Sequence, residues 1–215
     1  MTMLYKITQY ISTHETEIAK QLGTHISISL AALLVSAAIG IPLGYLASRS
    51  RSMEKMVTAP FEMLRVVPSL ALLMLMIPLI GTGVIPTVIA MVILAVPPIL
   101  LNSIAGFSTV PDKTIEAARG IGLTEKEILH IVRIPLALPL ILAGLRTALI
   151  EVIASTTLAA KIGAGGLGEI IFTGLGLNRT ELLLVGGFLV ALLSLLAGMI
   201  FDGITRKILS YKYAG

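Results

Sequence analysis

The 215 residues contain no cysteine and no tryptophan, and only 13% of them are charged. The first absence excludes disulfides, thiolate metal ligands and cysteine nucleophiles. Scarce charge excludes an ordinary soluble domain, in which about a quarter of residues are ionic. The chain is instead 56% hydrophobic, with a mean hydropathy of +0.97. That composition belongs to a membrane protein, and about five spans of about 20 residues with their loops use up the length. The predicted fold is all-α, a polytopic membrane helix bundle forming one domain over residues 1–215, with no room for a soluble catalytic part. His14, His25 and His130 are scattered and none has a ligand-spaced partner, so no metal site is predicted.

Hydropathy sets the spans near 24–48, 58–81, 85–107, 135–160 and 181–204. Pro42 lies inside the first, where neighbouring groups of a bundle can satisfy the freed carbonyl. Pro60, Pro68 and Pro78 predict that the second is a broken helix. Residues 1–22 mix Lys6, Glu15, Glu17 and Lys20 with apolar residues. They are in the wrong order for a signal peptide and predict an amphipathic, interfacial segment. Ten basic residues fall on one side if the turn after the first span, the 112–135 loop and the C-terminus are placed together: Arg49, Arg51, Lys55, Lys113, Arg119, Lys126, Arg133, Arg206, Lys207 and Lys212. Lys6, Lys20, Lys161 and Arg179 fall on the other. The positive-inside rule makes the first set cytoplasmic and leaves the N-terminus outside. There is no internal repeat and no low-complexity tract.

One long polar stretch interrupts the apolar chain, residues 112–135, DKTIEAARGIGLTEKEILHIVRIP. Thr124 and Glu127 have the spacing of a capping box, so a helix should begin there. Asp112 is positioned to cap a shorter helix running through Arg119, which Gly120 and Gly122 should end by taking left-handed backbone angles. The result is two short helices joined by a glycine corner. Ala117, Ala118, Gly120 and Gly122 are small enough for another protein to approach the backbone closely. A second distinctive stretch, residues 161–169, carries Gly163, Gly165, Gly166 and Gly168. It matches GxGxxG formally, but no strand precedes it and the topology puts it outside the cell, so dinucleotide binding is excluded. A gate over a transport path and a loop packed between helices both remain open readings of it.

Glu116-Ala117-Ala118, three residues, Gly122, nine residues and Val132-Arg133-Ile134-Pro135 resemble the EAA signature of permease subunits of ATP-binding-cassette importers. The usual ending is I-x-L-P, and here it reads V-R-I-P. With RVVPSLALL at 65–73 and LAAKIGAGGLGEIIFTGL at 158–175, the chain resembles the permeases of osmoprotectant importers for glycine betaine, choline and carnitine. The resemblance implies a type I importer fold in a bacterial inner membrane. It makes Glu116, Ala117, Ala118, Gly122 and Pro135 the residues that couple to a separate ATPase subunit. It also implies an extracellular substrate-binding protein, a second permease, identical or homologous, and lipid around the bundle, with no nucleic-acid partner. ATP and magnesium would be bound by the ATPase, so this chain needs no cofactor and catalyses no reaction.

Arg146 and Glu151 lie at membrane depth, where a bare charge costs from about 2.5 to over 10 kcal/mol. Both must therefore face protein or water, as residues lining the path or as ties between helices. Glu62 and Arg65, at i and i+3, can pair directly, and Asp202 is placed as an interfacial anchor. A quaternary ammonium ion is held best by an aromatic cage. With five tyrosines near segment ends and five dispersed phenylalanines, a tight site in this chain is not expected, and selectivity falls to the receptor. Two rivals share some of these features: an amino-acid importer permease, for example for methionine, and an ion-coupled carrier using Arg146 and Glu151.

Overall fold

The computed structural model describes residues 3–210. Lys212, Tyr211 and Tyr213 of the sequence reading lie outside them. Among the described residues there is no strand, and the order is α1 (Met3–Thr13), α2 (Glu15–Ala47), α3 (Arg51–Leu64), α4 (Ser69–Ile80), α5 (Val84–Ser108), α6 (Asp112–Gly120), α7 (Glu125–Glu127), α8 (Ile134–Thr156), α9 (Gly168–Gly176) and α10 (Thr180–Ile208). A π-helical turn, Ile128–Arg133, joins α7 to α8, and a 3-10 helix, Thr157–Ile162, follows α8.

Four stretches are long and apolar enough to cross a membrane: Glu15–Ala47, Val84–Ser108, Glu125–Ile162 and Thr180–Ile208. The pair α3 and α4, bent by 92°, adds a fifth when taken as one broken span. Pro68 causes the break. It is the N-cap of α4 with extended backbone, and a residue preceding proline is kept out of the helical region, so α3 has to stop before it. Its first half starts at Arg51, several residues ahead of the apolar stretch.

Helix bounds exceed the apolar runs for a similar reason. At 33 residues α2 is about 50 Å long, and its first turns, with Glu15, Glu17 and Lys20, stand outside the hydrocarbon. The N-terminal segment is helical as α1, with Met3, Leu4, Tyr5 and Ile11 exposed. Ile7 and Tyr10 of α1, with Ile18 and Leu22 of α2, pack on Leu167, Ile170, Leu182 and Val185 around α9 and α10. The fourth span also departs from expectation. Pro135 does not open it, because the helix runs unbroken from Glu125 through the π-turn to Ile162. A proline near the start of α8 removes one amide donor, and the wider π-turn just ahead of it is where that register change falls.

The bundle is held by α2, α5 and α8. Ala32, Leu73, Ala90, Met91, Ala95, Ile99, Ala148 and Val152 are all fully buried at its centre. Lipid tails are as apolar as leucine, so helix association here depends on close packing and not on burial from water. Small residues provide that. A Cβ on Gly44 would stand 2.5 Å from the Ser103 Cβ, and one on Gly144 would stand 2.7 Å from the Asn102 Cβ and 2.8 Å from the Pro98 carbonyl. Gly40 and Gly44 form a G-x-x-x-G pair that seats α2 on α5, and Gly106 and Gly144 seat α5 against α8. Ser36 adds a cross-helix bond, its hydroxyl donating to the Val92 carbonyl at 3.3 Å.

Candidate coupling and gating sites

The polar stretch forms the predicted knuckle. Thr124 is the N-cap of α7 with both arms of the capping box in place. Its amide donates to the Glu127 carboxylate at 2.8 Å, and the Glu127 amide donates to the Thr124 hydroxyl at 3.4 Å. The Thr124 amide first, and then the Thr124 hydroxyl, which also donates to the carboxylate at 2.7 Å, hold the Glu127 carboxyl below the usual carboxylate range. Gly122 has φ +90 and makes the corner. Two details differ from the sequence reading. Asp112 is not the cap of α6. Pro111 occupies that position, and Asp112 is the first helical residue, where its charge still complements the helix dipole. Gly120 is the last helical residue and keeps ordinary angles, so Gly122 alone turns the chain.

The knuckle has its own core of Val110, Ile115, Ala118 and Ile128. Ala118 therefore faces inward at 6% exposure, while Glu116 and Ala117 face out. The sequence reading missed Ile121, which is 80% exposed at the corner between the two glycines. Arg119 donates to Glu125 at 2.6 Å across the corner, tying α6 to α7, and this bond keeps the Glu125 carboxyl low. The face on offer to a partner is thus Glu116, Ala117 and Ile121 on a pre-braced frame. Pro135 sits at the root of α8 behind it.

The glycine segment lies at the far end of α8. Gly163, Gly165 and Gly166 have φ of +76, +79 and +87, and Gly168 opens α9. A Cβ on Gly168 would collide with the Thr157 carbonyl, so the start of α9 touches the start of the 3-10 helix backbone to backbone and only glycine fits there. In this conformation the segment is packed: Ile162, Ala164 and Leu167 are buried. The Gly83 amide donates to the Ile162 carbonyl at 2.7 Å, and the Gln21 amide donates to Glu169 at 3.1 Å. Lys161 stands over the Phe172 ring at 4.3 Å.

Arg146 and Glu151 do not meet. Arg146 makes a two-pronged pair with Asp202, Nε to Oδ1 at 2.6 Å and Nη2 to Oδ2 at 3.1 Å, so it ties α8 to α10. Asp202 is accordingly its partner. Glu151 is half-buried on α8. Among the described residues the ion pairs are Arg119–Glu125, Arg146–Asp202 and Arg179–Glu181. Glu62 and Arg65 do not form the pair expected of them. Aromatic rings meet at most in twos, as in the edge-on pair Tyr45–Phe107 at 5.1 Å, so no cage encloses a cation among the described residues.

An exposed, braced knuckle on a bundle with a packed glycine segment at its other end agrees with a family model that matches residues 40–210, the binding-protein-dependent transport system inner membrane component. The chain belongs to that family. Among its relatives, the choline transport system permease protein OpuBB of Bacillus subtilis (strain 168) is 35% identical over 95% of this chain and 94% of its own length. The carnitine transport permease protein OpuCB of Listeria monocytogenes is 42% identical over 81% and 80%. The glycine betaine/carnitine/choline transport system permease protein OpuCB of Bacillus subtilis is 36% identical over 93% and 92%. In fold, the chain is similar to the inward-facing MetNI methionine ABC transporter, with TM-score 0.75 and 23% identity, covering 91% of this chain and 98% of that one. This likeness establishes the architecture of a type I importer permease. It carries no information about the solute.

Proposed function

We propose that the chain is the permease subunit of an ATP-driven importer for small quaternary-ammonium osmoprotectants, of the glycine betaine, choline and carnitine class. The observation that carries this is the knuckle. A bundle of apolar helices presents one braced, small-residue surface, in the position where a motor protein can push on α5 and α8 together. The relatives named above supply the solute class. Identity of 35–42% over 81–95% of the chain favours it over the methionine reading, whose support is a likeness of fold alone.

Two copies of this chain, or one copy with a homologue, would enclose the path about a two-fold axis. The knuckle and the C-terminus face the cytoplasm, in line with the basic residues around them, and the membrane is the bacterial inner membrane. Each knuckle would sit in a groove of an ATPase subunit, which binds ATP and magnesium. Glu116, Ala117 and Gly122 would form the contact, with Ala118 and Pro135 shaping it from behind. Closure of the ATPases would draw the knuckles together and tilt α5 and α8. The path would then open outward under a loaded receptor, with the glycine segment, Gly163, Gly165, Gly166 and Gly168, as the extracytoplasmic gate. This is rigid-body alternating access. Glu151 and Arg65 would border the path, and the Arg146–Asp202 tie would hold α10 to the moving unit. With no aromatic cage among the described residues, the permease would offer the solute weak, passing contacts, leaving selection to the receptor.

Competition on the reconstituted complex tests the solute class. Uptake of labelled glycine betaine should fall on adding excess choline or carnitine and stay unchanged with excess methionine. Inhibition by methionine alone would contradict the reading.

A further inference from the structure

His25 lies on α2 with 0% of its surface exposed, deep among apolar helices, and no step described so far uses it. An ionisable side chain inside a membrane bundle calls for a role and a named partner. Its partner is specific: Nε2 donates to the Ile153 carbonyl at 2.9 Å. That carbonyl is available for a structural reason. At the end of α8 the amides that begin the 3-10 helix bond three residues back, to the Ala154 and Ser155 carbonyls. In an α-helix the Thr157 amide would take Ile153. The switch of helix type draws the Thr157 amide towards the Ala154 carbonyl and away from Ile153, and buried carbonyls favour strong donors. His25 supplies one to Ile153.

The bond to a carbonyl places the ring hydrogen on Nε2. Nδ1 then carries a lone pair, is buried and has no partner. It points to Gly166, whose added Cβ would stand 3.2 Å from it. The rest of the α2 stripe meets the same segment. Gln21, one turn before His25, binds Glu169, and the Ser29 hydroxyl, one turn after, donates to Thr156 at 3.3 Å. A Cβ on Gly165 would touch Thr24 at 3.5 Å. One face of α2 therefore lies against both ends of the glycine segment, with His25 at its centre.

We infer that His25 is the positioning residue of the extracytoplasmic gate. By holding the Ile153 carbonyl at the junction of α8 and the 3-10 helix, it fixes the closed register of the glycine segment. The inference rests on the reading of that segment as a gate. When α8 tilts, the bond to His25 is the one that has to give for the segment to leave α2. Without it the gate is loose in the resting state, and ATP is spent without solute entering.

The test uses the assembled complex of permease, cysteine-free ATPase and receptor in liposomes. Ala164→Cys introduces this chain's only thiol, at a position 4% exposed and packed against Ile28 and Ala159. A membrane-impermeant maleimide added outside reads whether the gate is shut. With His25 in place, labelling should be slow without nucleotide and about tenfold faster when a non-hydrolysable ATP analogue and loaded receptor trap the outward state. If trapping leaves the rate unchanged, the gate reading fails and this inference falls with it.

Given a moving gate, His25→Phe, which keeps a ring but loses the donor, should raise labelling without nucleotide about tenfold, the size of effect expected for one buried bond. It should also lower glycine betaine taken up per ATP hydrolysed. His25→Gln, which keeps an N–H donor, should stay within about threefold of the parent on both readouts. If the phenylalanine variant does not assemble, His25→Met against His25→Gln makes the same comparison at matched length. A gate that moves normally while the donor-less variants label and couple like the parent would overturn the inference. So would a glutamine variant as loose as the methionine one.

Discussion

At the scale of single residues, the glycines separate into those that seat helices and those that do not. Gly44 has the Ser103 Cβ 2.5 Å from where its own Cβ would be, whereas Gly23 and Gly187 have nothing within 4 Å. Gly44→Ala should therefore lower stability by about 1–3 kcal/mol through overpacking, and Gly187→Ala should change it by less than about 0.5 kcal/mol. Thermal unfolding of the detergent-solubilised protein checks both. Arg146 and Asp202, 56 positions apart, make the other residue-scale statement. Removing either should lower the melting temperature, and removing both should lower it little further, since the pair is a single tie between α8 and α10. Charge and depth showed in the sequence that Arg146 needed a partner. They could not name Asp202, because a pairing between distant helices depends on how α10 rotates against α8. The same limit hid His25. A lone histidine at the start of an apolar run has no visible partner until the end of α8 changes from α to 3-10 and draws the Thr157 amide away from Ile153.

At the scale of elements, the knuckle was the most legible part of the chain. A capping box, a left-handed glycine and the apolar spacing of the following turn are all local devices, and local devices survive without tertiary information. Asp112 yielded the cap of α6 to Pro111, because a proline fixes the extended entry to a helix without a side-chain bond. Pro135 read as a helix start, yet the π-turn absorbs it and lets α7 and α8 act as one lever. That continuity is what couples the knuckle to the span. Gly122→Asp should accordingly abolish transport and substrate-stimulated ATP hydrolysis while the protein still inserts, because the space around the residue is open and the new carboxylate would project from the corner into the surface that the ATPase has to approach. Gly120→Ala, at ordinary helical angles, should preserve both, and wild-type uptake by the Gly122 variant would refute the assignment. The capping box also has a pH signature. Its Glu127 carboxyl is held low by the Thr124 amide, so its stabilisation is complete above the unfolded carboxylate range and is lost as the pH falls through the folded value. Amide exchange at Glu127 and Ile128 should rise on acidification in that window, and Glu127→Gln should flatten the dependence.

At the scale of the molecule, five spans leave a great deal of apolar surface uncovered. Phe188, Leu195, Met199 and Ile200 on α10 are 62–66% exposed, which suits lipid or another permease and would not suit water. The charged pair Arg146–Asp202 opens on the same helix and cannot face lipid cheaply, so one edge of α10 belongs against protein or a wet path. Both facts are consistent with the two-fold assembly proposed above. The central claim is that this bundle moves solute only when a separate ATPase pushes on its knuckle. The most direct measurement is uptake of labelled glycine betaine into liposomes holding the permease alone, the permease with receptor, and the permease with receptor and ATPase. The account predicts uptake in the third preparation only, dependent on ATP and indifferent to collapse of proton and sodium gradients. Uptake by the permease alone, driven by such a gradient, would contradict it.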